Sequence, residues 1–275
     1  MTNRYDCQCC CGVAGRPARI YGKAHRPRIG PPRFQSLNPF EESTGTLKND
    51  LLDWRDLSGD VVSPSDQHGS NPDWSRNGTW EGTTGPDGRA AIQSTLTGSS
   101  TRYWKDDNYP YGIAAGTGVT YNIFFKPLSA WGNDQVCISH RGSSSNAPNM
   151  LQSKYKVSTG KMQATFWNQL GTLKQLNVTM TQDVWHMVTI TFDVTSKYLA
   201  MYIDGTLGDS LTHDGSSWAT SASMRFMIGR ATHSTSASNL SRAGFRNYGR
   251  WGRALTTDEI TSLYNSGAGL IYSEL

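Results

Sequence analysis

The chain has 275 residues, with 28 Gly, 9 Trp, 12 Tyr, 17% charged residues and a net charge of +4. Its aromatic content excludes a disordered chain. No apolar run approaches the ~18 residues of a membrane span, and the opening Met1-Thr2-Asn3-Arg4-Tyr5-Asp6 lacks the apolar core of a signal peptide.

Residues 1–43 read as an arm. Prolines at 17, 27, 31, 32 and 39 and glycines at 12, 15, 22 and 30 prevent a regular helix. Residues 1–40 carry seven basic side chains against Asp6 alone, a net of +6, and the rest of the chain sums to −2. A basic arm on a near-neutral body points to an anionic partner. Cys7, Cys9, Cys10 and Cys11 crowd into five positions. That spacing is too tight for a zinc finger, and adjacent cysteines seldom meet the geometry of a disulfide with each other. Inter-chain bridges, a shared metal and free thiols stay open, so the metal state is undetermined. The arm's candidate assembly residues are Cys7, Cys9, Cys10, Cys11, Arg16, Arg19, Arg26, Arg28 and Arg33.

Residues 44–275 read as one domain of about a dozen short strands and a single closing helix. Leu47–Leu57 opens it, and residues 64–88 are rich in Gly and Pro. Val119–Pro127 and Val136–Arg141 read as strands. Lys154–Val157 and Met162–Trp167 flank Ser158-Thr159-Gly160-Lys161 as a hairpin. Leu173–Val178 follows. In Trp185–Phe192 a strict period of two cannot place every apolar residue, so both faces are expected to be covered. Tyr198–Ile203 is its partner, and Asp204-Gly205 is a hairpin turn signal. Met224–Arg230 is a further strand. Thr257 is expected to cap a helix carrying Asp258 and Glu259 at its positive end, with Ile260, Leu263 and Tyr264 on its inner face and Gly267 at its close. This pattern predicts an all-β, two-sheet jelly-roll sandwich.

Several blocks resemble the laminin-G-like, concanavalin-A-like jelly-roll family, in the family's order, over residues 47–272. They are Leu51-Leu52-Asp53-Trp54 with Ser58-Gly59, Gly85–Ala91, Val119–Pro127, Trp185-His186-Met187-Val188 with Tyr202-Ile203-Asp204-Gly205, and Arg253-Ala254-Leu255-Thr256 with Glu259-Ile260, Leu263-Tyr264 and Gly267. The resemblance implies a sugar- or surface-binding protein more than an enzyme. Some members bind calcium through loop carboxylates. Here Arg246 and Asn247 replace an acidic pair that often precedes the closing helix, which weakens an inherited calcium site. Calcium is the one cofactor the resemblance leaves open.

Related jelly-roll glycosidases carry alternating carboxylates on one strand. No such run exists, and Glu81 is the only acidic candidate. The six histidines show no metalloprotease spacing, and His140 and His186 on strands read as structural. No catalytic residue is therefore assigned. The candidate ligand-binding residues are Tyr103, Trp104, Asp106, Asp107, Asn108, Tyr109 and Tyr111 on one loop, and Trp131, Asn133 and Asp134 on another. Aromatic platforms beside carboxylates and amides suit sugar hydroxyls. Trp80, Trp167 and Trp218 are assigned to core or rim.

The expected function is a non-enzymatic surface- or carbohydrate-binding jelly roll. Its expected setting is a structural part of a larger particle, such as a phage capsid decoration or tail protein, anchored to other subunits by the arm. A free lectin and a degenerate glycosidase are the alternatives. Nucleic-acid binding is not expected, because the arm's cations lack interleaved stacking aromatics. The expected location is the particle, or otherwise the cytoplasm.

Overall fold

The computed structural model describes residues 47–58, 67, 74–78, 80–94, 103–109, 118–142, 149–167, 173–213, 224–231 and 241–275. The arm, with Cys7 to Arg33, lies outside the described residues, as does Trp218. The strands are β1 (Leu51–Arg55), β2 (Ser75–Asn77), β3 (Glu81–Thr84), β4 (Ala90–Gln93), β5 (Tyr103–Tyr109), β6 (Gly118–Pro127), β7 (Gln135–Gly142), β8 (Asn149–Lys156), β9 (Lys161–Trp167), β10 (Leu173–Thr179), β11 (His186–Asp193), β12 (Tyr198–Ile203), β13 (Thr206–Thr212), β14 (Met224–Ile228) and β15 (Ala243–Trp251). One helix, α1 (Thr257–Tyr264), follows them.

The strands form two antiparallel sheets. One has eight strands in the order β13-β12-β11-β6-β15-β4-β3, with β1 also paired to β15. The other has seven, in the order β10-β9-β8-β7-β14-β5-β2. Between them lies the main core, to which Ile123, Phe125, Val188 and Ile190 contribute from the first sheet and Ile138, Phe166, Leu176 and Phe226 from the second. This is the expected jelly-roll sandwich.

The opposite face of the eight-stranded sheet is covered as well. Phe124, Met187, Trp54 and Trp251 pack there with Leu47, Ile260, Leu263, Leu270 and Leu275. A strand between two apolar layers needs apolar side chains at odd and even positions alike. β11 therefore sends Val188, Ile190 and Phe192 to one core and Met187 to the other, and a single hydrophobic stripe cannot describe it.

Local chemistry sets the turns. Asp204 (φ 55°) and Gly205 (φ 76°) join β12 to β13 in a two-residue hairpin whose backbone twist requires positive φ at both positions. The hairpin of β8 and β9 forms as expected. Within β15, Asn247 adopts a left-handed φ of 43°, and the register with β6 shifts between Arg246 and Gly249. This bulge switches the inward face from Phe245 to Tyr248. The Asn247 amide then donates to the Leu270 carbonyl at 2.9 Å.

The closing helix differs from expectation by one residue at its start. Thr256, not Thr257, is the N-cap: its hydroxyl accepts from the Glu259 backbone N–H, and the Glu259 carboxylate accepts from the Thr256 N–H. The reciprocal box needs Thr three residues before Glu, and Thr257 stands only two before it. The helix ends at Asn265 in a left-handed conformation (φ 46°), before Gly267. Asn tolerates that region because its short side chain can bond locally. Ile260 and Leu263 are buried as expected, whereas Tyr264 is half-buried. Among the described residues no helix is long and apolar enough to cross a membrane.

Candidate functional site

The outward face of the seven-stranded sheet is polar where it approaches its β10 edge. In β9 the inward positions are Met162, Ala164 and Phe166, so Lys161, Gln163, Thr165 and Trp167 face out. In β8 Leu151 and Tyr155 point inward and leave Gln152, Lys154 and Lys156 outside. In β10 Leu176 points inward and Gln175, Asn177 and Thr179 are exposed.

The registers align these residues into rows. Gln175 lies opposite Thr165, which lies opposite Gln152. Asn177 lies opposite Gln163, which lies opposite Lys154. The Gln163 amide donates to the Asn177 Oδ1 at 3.1 Å. Ser139 and Met227 continue the first row on β7 and β14 but are buried. The open part of the face is thus β8 to β10, where amides surround the buried Thr165 and the half-buried Trp167 bounds them.

The loop from β6 to β7 closes one side of this face. Gln135 braces it, with its side chain bonded to both the N–H and the carbonyl of Leu128 at 2.9 Å. Asp183 caps the Ser129 N–H at 3.1 Å. Asp134 then reaches Lys156 at 2.6 Å and Lys154 at 3.4 Å. Burial opposes the ionised form of Asp134, but the two ammonium groups outweigh it and hold the carboxyl below the usual carboxylate range.

The residues expected to bind ligand are thereby divided. Asp134 and the exposed Asn133 border the face. Trp131 does not offer both ring faces, because the Arg242 guanidinium lies 4.1 Å from its ring centre. The stretch read as a loop around Tyr103 is a strand from Tyr103 to Tyr109, between β14 and β2. β-Branching is sparse there, and the sheet pairing with Met224–Ile228 prevails over the polar composition. Trp104 falls opposite Ile228, Asp106 opposite Phe226 and Tyr109 opposite Met224. The side chains of Tyr103, Trp104, Asp106, Asp107, Asn108 and Tyr109, and all of Tyr111, lie outside the described residues.

The remaining sequence candidates have structural partners. Glu81 is exposed on the edge strand β3, and its cross-strand neighbour is Gln93, an amide and not a second carboxylate. His140 is buried, with Nδ1 2.8 Å from the Tyr121 hydroxyl. Burial and then the nearby Arg250 charge push its pKa well below the ordinary histidine value. His186 Nδ1 lies 2.7 Å from Asp204. Arg246 is buried in an ion pair with Asp87. Arg246 and Asn247 thus spend their side chains on the Asp87 carboxylate and the Leu270 carbonyl. Among the described residues no group of three His, Cys, Asp or Glu side chains is placed to hold a metal.

The β8–β10 face itself escaped the sequence reading. Its signal was the alternation in Lys161-Met162-Gln163-Ala164-Thr165-Phe166 and in Gln175-Leu176-Asn177-Val178-Thr179. That signal marks an exposed sheet face, but three strands must be aligned before it becomes a surface.

No curated protein sequence matches the chain. Among solved structures, it is similar to the binding domain of botulinum neurotoxin serotype D, with a TM-score of 0.61, 13% identity, and coverage of 80% of this chain and 52% of that one. It is similar to the serotype D ligand-binding domain in complex with N-acetylneuraminic acid, with a TM-score of 0.61, 12% identity, and coverage of 82% and 53%. It is also similar to the binding domain of paraclostridial mosquitocidal protein 1, with a TM-score of 0.60, 16% identity, and coverage of 80% and 53%. The chain thus spans about half the length of these structures, and the likeness is one of fold. The sequence of residues 98–261 matches the family described as the concanavalin A-like lectin/glucanases superfamily. With that match covering more than half of the chain and the two-sheet sandwich around it, the protein belongs to the concanavalin A-like lectin/glucanases superfamily.

Proposed function

We propose that the protein is a non-catalytic, carbohydrate-binding jelly roll that takes its glycan on the outward face of β8, β9 and β10. The observation behind this reading is the aligned grid of Gln152, Gln163, Gln175 and Asn177, around the buried Thr165 and beside Trp167. Amides and hydroxyls both donate and accept, as sugar hydroxyls do. An aromatic ring supplies an apolar platform for the C–H face of a pyranose. A sheet holds these groups rigidly, which lowers the ordering cost of binding. Similar folds include a domain whose solved complex contains N-acetylneuraminic acid. That Glu81 faces Gln93 favours binding over hydrolysis, because hydrolysis needs a second carboxyl group.

The arm, residues 1–43, then anchors the domain to other subunits of a larger particle. The charge of +6 on its residues 1–40 against −2 for the rest of the chain supports an attachment role.

A glycan array, run with and without calcium, tests the binding. Hits are expected, and Gln163→Ala with Gln175→Ala should weaken them at least about tenfold with an unchanged melting temperature, in keeping with ~1.4 kcal/mol per decade. An array without hits in either condition sinks the reading. Deletion of residues 1–43 should abolish incorporation into the particle and leave glycan binding intact.

A further inference from the structure

Between Asp134 and Asp183 the sequence runs for 48 residues without a carboxylate side chain, and it contains Arg141, Lys154, Lys156, Lys161 and Lys174. The whole chain has 22 acidic residues, so this gap is a local bias. It coincides with β7, β8, β9 and β10, the strands that build the polar face.

Three of the lysines stand on the outward side of that face. Lys161 is exposed and lies directly opposite Lys156. Like charges directly opposite one another are unfavourable in an antiparallel pair. The nearby carboxylate is Asp134, shared by Lys156 at 2.6 Å and Lys154 at 3.4 Å. Asp183 and Asp209 border the same face but accept from the backbone N–H groups of Ser129 and Asn177, so one carboxylate pairs with the lysines and positive charge remains among the amides. Such a surface is matched by a ligand with hydroxyls along its length and an anionic group at one place.

We infer that the glycan bound by β8–β10 is acidic, and that Lys154, Lys156 and Lys161 receive its carboxylate or sulfate. This rests on the glycan reading above and names the class of sugar. Asp134 acts as the internal counterion of Lys154 and Lys156, and the ligand's anion competes with it for them. A lysine ammonium is a point charge with rotatable donors, suited to either anion. The amides of Gln163, Gln175 and Asn177 address the neutral part of the sugar.

The test uses the full chain and titration calorimetry. The probes are an oligosaccharide bearing a uronic acid, the same oligosaccharide with that carboxyl reduced to the alcohol, and its sulfate ester. At ~50 mM salt the uronate or the sulfate should bind at least about tenfold more tightly than the reduced sugar, and the gap should shrink at ~300 mM as screening increases. Which anion binds better identifies the source of the charge. Lys156→Gln and Lys161→Gln should erase the preference, bringing the acidic sugar's affinity down to that of the reduced sugar. Asp134→Asn should raise the affinity for the acidic sugar, an effect that loss of a merely structural ion pair would not produce. Equal binding of acidic and reduced forms by the unaltered protein overturns this inference but leaves the glycan reading standing. Competition by polyphosphate as strong as by the acidic sugar overturns it too, since the face would then be a general polyanion patch. Failure of every sugar, acidic or neutral, removes the glycan reading itself.

Discussion

Asp209 on β13 accepts a hydrogen bond from the backbone N–H of Asn177 on β10 at 2.7 Å. The two residues belong to edge strands of different sheets. An edge N–H left open invites pairing with another chain. Here a carboxylate fills the place of a strand partner. Gly208 permits the approach, because a Cβ there would sit 2.5 Å from Val178 Cγ1.

Asp209→Ala should cost about 1 kcal/mol, the usual net worth of such a bond at a partly exposed site. It should also increase aggregation during refolding. Gly208→Ala should cost about 1–3 kcal/mol through overpacking. Urea denaturation and light scattering measure both. An Asp209→Ala protein as stable and as soluble as the parent contradicts the sealed edge.

His140 makes folding sensitive to pH. Its folded pKa lies well below the ordinary value because burial, and then Arg250, disfavour the imidazolium. The unfolded chain therefore binds the proton first as pH falls. The stability contributed by neutral His140 is complete above about pH 6.5 and is lost as pH drops below that value toward the folded pKa. Denaturation midpoints should decline between about pH 6.5 and 5, before carboxylates titrate. His140→Gln should flatten that decline. Tyr121, whose own pKa burial raises to about 12 against the opposing pull of Arg250, keeps its proton throughout. Tyr121→Phe should cost about 1–2 kcal/mol by removing the hydroxyl beside Nδ1.

Glu259 has two roles, as capping-box residue and as partner of Arg253 at 2.6 and 2.8 Å. Burial works against its ionised form, but Arg253 and Thr256 prevail and hold the carboxyl below its usual range. Its contribution is present above the unfolded pKa of about 4.3 and is lost as pH falls through the lower folded value. Thr256→Ala should cost about 1 kcal/mol. Thr257→Ala should cost much less, and thermal melts of the pair compare the two. Equal losses would refute Thr256 as the cap.

Asn247→Asp restores an acid at a position where the family often has one. It also removes the donor to the Leu270 carbonyl and buries a carboxylate beside Arg246. The expected result is a loss of about 2–4 kcal/mol, set by the unsatisfied carbonyl and the buried charge. Added calcium should not restore the stability. Recovery with calcium in a thermal melt would show that Arg246 and Asn247 had displaced a functional cation site.

Much of the scaffold was legible in the chain because its signals are local. Asp204-Gly205 announces a turn with two positive φ angles, and Thr256-Thr257-Asp258-Glu259 announces a helix start. The one-residue displacement of the cap arose because both Thr256 and Thr257 are competent caps, and only the three-residue spacing to Glu259 chooses between them. Tyr103–Tyr109 was read as a loop from its acids and Asn, whereas pairing with β14 and β2 makes it a strand. Strand formation depends on partners far along the chain, β14 more than a hundred residues away, which composition does not report.

By itself, then, the sequence determined the jelly-roll class, the hairpins and the closing helix. Only the tertiary structure decided which residues form a surface. The grid of Gln152, Thr165 and Gln175 exists because three strands are in one register. The acid-free stretch became a charged face because β8 and β9 place Lys156 opposite Lys161. Trp131 has one ring face taken because folding laid Arg242 against it. Turns and caps are interactions between near neighbours in the chain, whereas a binding face is made across strands, and long-range pairing alone selects its members.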